Sequence, residues 1–130
     1  MNVEAAREWV KKADEDWTAL ERLVAGGLLD DVAGPVAFHA QQCAEKYLKA
    51  CLAQEEDEPP RTHDLSLILD VVVSHFPALE PLALLCDEIS PYAVLARYPG
   101  FSVTADDATA AAECARKVRA SVREALGLPG

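Results

Sequence analysis

Metal-ligand pairs are missing from this chain. Its four cysteines, Cys43, Cys51, Cys86 and Cys114, never stand at i,i+3, so there is no CxxC pair. No two of its three histidines stand at i,i+4, and neither HExxH nor ExxH occurs. No metal site and no cofactor is therefore expected. A glycine-rich phosphate loop and a GxSxG elbow are absent too, which excludes the nucleotide and hydrolase chemistries that depend on them. No apolar run reaches the roughly 20 residues a membrane span needs. Basic residues are scarce: 12 Lys and Arg against 22 Asp and Glu give a formal net charge of −10. Long-range repulsion then excludes non-specific DNA binding, although screening over about 10 Å leaves room for a local basic patch. Glu4, Arg7 and Glu8 interrupt the N-terminus, so no signal peptide is expected. The thiols read as reduced and mostly buried, and the compartment as cytoplasmic.

What is present is alanine, leucine and helical periodicity. A length of 130 residues with 51% hydrophobic and 26% charged side chains fits one globular domain over residues 1–130. A first helix is expected over residues 2 to 25, where Val3, Ala6, Val10, Ala13, Trp17, Leu20 and Val24 alternate spacings of three and four, a heptad seam. Gly26-Gly27 ends it. A second helix follows Gly34-Pro35 and runs to about residue 54, where the acidic Glu55–Pro60 stretch stops it. Asp64 caps a third, with Leu65, Ile68, Leu69, Val72 and Phe76 as its buried stripe. A fourth opens near Pro81 and is kinked by Pro91, with residues 96–101 as a loop. Thr104 and Asp107 cap a fifth, whose Ala108, Ala111, Ala115, Val118 and Val122 form a second seam. The expected fold is all-α: an antiparallel up-and-down four-helix bundle with an additional short helix.

The second helix is the informative one. At about 100° per residue, Ala37, Ala40, Ala44, Tyr47, Leu48 and Cys51 fall on one side. His39, Gln42, Lys46 and Lys49 fall opposite, with Phe38 and Glu45 at the edge. Such a face is either a second contact surface or an ordinary wetted one. Two further groups invite attention. Thr62-His63-Asp64 is a helix cap that presents an imidazole beside it. Tyr92 with Arg97-Tyr98-Pro99 supplies a guanidinium among aromatics, able to hold phosphate and stack a base, or to pack over the bundle end. Lysines and Arg97 would meet phosphate, Tyr92 or Tyr98 would stack, and Gln42 would read an edge.

Together these groups resemble the HEPN family (higher eukaryotes and prokaryotes nucleotide-binding domain). The resemblance rests on Trp9, Ala13, Asp16 and Leu20, on the string FHxQQxAEKxLKA from Phe38 to Ala50, on Thr62-His63-Asp64-Leu65, and on Tyr92 with Ala96-Arg97-Tyr98-Pro99. It implies a bundle that forms a homodimer, often paired with a minimal nucleotidyltransferase in a toxin–antitoxin-like system. Many members cleave RNA without metal through an Arg followed four to six residues later by His. Here Arg97 is followed by Tyr98 to Thr104 without a histidine, and none occurs after His75. The acid–base partner for attack by a ribose hydroxyl is missing. A non-catalytic module that binds nucleotide, RNA or the nucleotidyltransferase partner is therefore expected through His39, Gln42, Lys46, Lys49, His63, Tyr92, Arg97 and Tyr98. The alternatives are an endoribonuclease toxin or a purely structural dimerisation module.

Overall fold

A computed structural model describes all residues, Met1 to Gly130, and contains no strand. Five α-helices, α1 (Val3–Ala25), α2 (Ala33–Gln54), α3 (Leu65–His75), α4 (Ala83–Ile89) and α5 (Ala105–Ala125), form an all-helical bundle, as the periodicity requires. The caps are local chemistry. The Asn2 side chain accepts from the amide of Ala5, Asp64 accepts from Ser66 and Leu67, and Thr104 and Asp107 exchange hydrogen bonds in a complete capping box. Gly27 has φ +74°, the left-handed conformation that glycine adopts without strain after a helix.

α2 is the axis of the bundle. Fourteen of its 22 residues are buried, so it is covered on every side rather than on one stripe. α1 lies antiparallel to it, and the amide of Asn2 donates to the carbonyl of Gln54 at 2.7 Å. The segment after α2 carries the chain back to its middle, where His63 meets Glu45. α3 then returns and sets His75 against Asp57, 3.0 Å away. α5 runs in the sense of α2: Ala108 clusters with Ala33 and Val36, and Arg123 reaches Tyr47 a few turns on. The main core joins Leu20, Tyr47, Leu48, Ile68, Ile89 and Val118.

Three local expectations are corrected. α2 begins at Ala33, so Gly34 and Pro35 lie inside its first turn; proline is tolerated there because that amide has no partner within the helix. Pro91 ends α4 instead of kinking a longer helix. The chain passes through 3-10 turns at Ser90–Ala93 and Leu95–Arg97, and another precedes α4 at Pro77–Leu82. Arg97 therefore sits on a short helical turn rather than in an open loop. Gly34 explains how close that turn lies: a Cβ on it would stand 2.8 Å from the carbonyl oxygen of Ala96.

Candidate functional site

The polar face of α2 is not left bare. Two carboxylates organise it. Asp16, from the middle of α1, is 7% exposed. Its Oδ1 accepts from His39 Nδ1 at 2.8 Å and its Oδ2 from Lys46 Nζ at 2.7 Å. Burial pushes the Asp16 carboxyl up, but the hydrogen bonds from His39 and Lys46 and the ammonium charge outweigh it, so the group titrates below its ordinary value. The carboxylate can only accept, which places the His39 proton on Nδ1 and leaves Nε2 unengaged on a side chain 31% exposed.

Glu45 is the second organiser and is almost wholly buried. It accepts from Lys49 Nζ at 3.0 Å and His63 Nδ1 at 2.8 Å, and more weakly from the amides of Gln41 and Gln42. The Lys49 ammonium also lies 5.6 Å from the centre of the Trp9 ring. Gln41, fully buried, also donates to the His63 carbonyl and accepts from Gln42. Each buried polar group here has a partner, as the low local dielectric demands.

Arg97 completes the corner. Its guanidinium carbon sits 4.7 Å above the Phe38 ring, whose edge in turn meets His39 at a centroid distance of 5.7 Å. Arg97 is exposed and has no carboxylate partner. The close approach of Gly34 to the Ala96 carbonyl places the turn that carries it. The path Arg97–Phe38–His39–Asp16–Lys46 is thus continuous, and Gln42 joins Glu45, Lys49 and His63 beside it.

Six of the expected residues are brought together and two are not. His39, Gln42, Lys46, Lys49 and His63 are held by Asp16 and Glu45, and Arg97 by Phe38. Tyr92 lies apart, edge-on to Phe101 at 6.5 Å, with burial and then the charge of Asp107 pushing its phenol above the ordinary range. Tyr98 is 58% exposed and joins no aromatic pair. The charges differ from expectation in one respect: Lys46 and Lys49 each already hold a carboxylate, and Lys49 is only 8% exposed. Asp16 and Glu45 are the residues that reading for cations and imidazoles overlooks. Asp16 carried a signal, since a carboxylate three residues after Ala13 and four before Leu20 lies on an apolar seam. The four thiols are free and buried, and no cluster of three or more His, Cys, Asp and Glu residues is placed to hold a metal ion. No helix is long and apolar enough to cross a membrane.

Fold and site together define an all-helical bundle whose central helix carries a buried polar network ending in an exposed arginine. Residues 6–125 match the HEPN domain, and the chain belongs to the HEPN family. Its fold is similar to the crystal structure of TT1696 from Thermus thermophilus, with a TM-score of 0.79 and 24% sequence identity over 92% of this chain and 96% of that one. No curated protein matches the chain.

Proposed function

We propose that this HEPN domain is a non-catalytic binding module that takes a nucleotide or RNA phosphate at the Arg97–Phe38–His39 corner. One observation carries the reading: on a chain of net charge −10, Arg97 has no acid to pair with and is held in place by stacking on Phe38. A guanidinium so fixed loses little freedom when it forms two parallel bonds to a phosphate. His39 adds a second contact through Nε2, while Asp16 holds the ring. Lys46 serves by fixing Asp16, and Tyr98 is free to stack on a base. Val94, Leu95, Tyr98 and Phe101 are exposed around Arg97, which supports a macromolecular neighbour there, a second copy or a minimal nucleotidyltransferase.

Calorimetric titration with AMP and with a short single-stranded oligoribonucleotide tests the proposal. Arg97→Ala should weaken binding at least about tenfold, as loss of a charge-assisted pair does. Equal heats from wild type and Arg97→Ala would remove the corner from the site. A second reading, RNA cleavage without metal, has one observation in its favour: the Asp16-held imidazole of His39 is oriented as a general base would be. RNA left intact after incubation with the protein in chelator would end that reading; cleavage abolished by His39→Ala would replace the first.

A further inference from the structure

A cavity of about 440 Å³ opens beside the turn that carries Arg97. The start of α3, the end of α4 and the two 3-10 turns that follow α4 form its walls, and Leu95, two positions before Arg97, is one of its lining residues. Along α2 the two places are close. Arg97 stacks on Phe38, and Gln41, three positions further on, donates to the carbonyl of His63 at the cavity wall. Three positions are about 4.5 Å of helix, a step that one ribose 5′-phosphate spans.

His63 is fixed from three sides. Its Nδ1 donates to the buried Glu45 at 2.8 Å, and its carbonyl accepts from Gln41 at 3.0 Å and from the Ser90 hydroxyl at 3.3 Å. That leaves Nε2 without a partner on an exposed ring that lines the cavity, and in the neutral imidazole this nitrogen accepts. The neighbouring groups are of the same kind. The Ser66 hydroxyl donates to one oxygen of Asp87, and both cap bonds of Asp64 go to one of its oxygens, so each carboxylate keeps a second oxygen free. The Ser66 and Ser90 hydroxyl protons are spent within the protein, which leaves the Thr62 hydroxyl as the free side-chain donor. Val94 and Leu95 add an exposed apolar edge. Such a wall repels a phosphate and receives hydroxyl protons, as carboxylates that hold a ribose do.

We infer that this cavity holds the ribose of a ribonucleotide, whose 2′,3′-diol donates to His63 Nε2 and the Asp87 carboxylate while its 5′-phosphate lies on Arg97. The inference rests on the Arg97 reading and adds the ligand's orientation and its sugar. The acids keep the phosphate out of the cavity, the guanidinium holds it outside, and the carbon edge of the sugar meets Val94 and Leu95.

Calorimetry with AMP and with 2′,3′-dideoxy-AMP, which differs only in the diol, tests it. AMP should bind at least about tenfold more tightly, as loss of a hydrogen bond to a charged group predicts. Asp87→Ala, at an exposed helix position, and His63→Ala should each narrow that gap. Arg97→Ala should weaken both ligands alike. Equal affinity for the two ligands, with binding that Arg97→Ala still weakens, would overturn the inference and leave the Arg97 corner standing. So would a preference for AMP that both Asp87→Ala and His63→Ala leave unchanged. Binding indifferent to Arg97→Ala would remove the corner and the inference with it. If His63→Ala does not fold, the comparison of ligands and Asp87→Ala decide the matter.

Discussion

Removing Glu45 should be among the most damaging single changes in the protein. Its carboxylate is 4% exposed and is the acceptor for Lys49, His63, Gln41 and Gln42. Glu45→Ala leaves the Lys49 ammonium, itself 8% exposed, without a counter-charge. Gln41 keeps its bond to the His63 carbonyl. Stranding one partner of a buried pair costs about 3–5 kcal/mol. The truncation also opens a cavity, while a shift of the ammonium along the Trp9 face recovers part of the loss. We expect about 3–4 kcal/mol, a large share of the roughly 5–15 kcal/mol that holds a domain together. The paired substitution Glu45→Leu/Lys49→Met removes both charges and keeps most of the volume. It should cost about 2 kcal/mol or less, because desolvation of the two ions is no longer incurred. Urea unfolding of the wild type, Glu45→Leu, Lys49→Met and the double variant forms the cycle, with Glu45→Ala measured beside it. A single-variant cost below about 1 kcal/mol, or a double variant as unstable as Glu45→Ala, would refute the view that α2 carries a satisfied buried network.

Two other perturbations probe the site and the core. Gly34→Ala should raise helix propensity by up to about 1 kcal/mol, yet its Cβ would meet the Ala96 carbonyl at 2.8 Å, so the net effect should be destabilising and should weaken ligand binding at Arg97; a rise in the thermal midpoint would disprove the close approach. Burial pushes the thiols of Cys51 and Cys86 up to about 12 and that of Cys114 to about 11, and pushes Cys43 up as well, from an ordinary value of 9.0. Groups held protonated in this way stabilise the fold fully below pH 9, and the contribution is lost as pH rises toward the folded values. Between about pH 8 and 10 Cys51 and Cys86 should each forfeit on the order of 1 kcal/mol; denaturant midpoints that stay level across that range would contradict it.

The sequence alone settled where α1, α3 and α5 begin, though not the short α4, which Pro91 ends rather than kinks. Asn2, Asp64 and the Thr104–Asp107 box act on amides within three residues, and Gly27 relieves strain at its own backbone, so each boundary is a local event. The apolar seams of α1 and α5 are legible for the same reason, because periodicity needs no distant partner. The start of α2 was less so: Pro35 is compatible with a helix edge and with a first turn, and packing of Gly34 on Ala96 selects the second.

Tertiary structure alone decided what the polar residues do. A helical wheel groups His39, Lys46 and Lys49 but cannot show that Asp16 and Trp9 of α1 cover them. Those partners lie 23 or more positions away and meet them only when α1 and α2 pack antiparallel. The same packing leaves Arg97 and Arg119 on aromatic rings, one without an acid and the other sharing Asp14 with Arg123, although acids outnumber bases along the chain. Composition counts charges. Which of them lack a partner depends on distances of a few ångströms between residues that the chain order keeps apart.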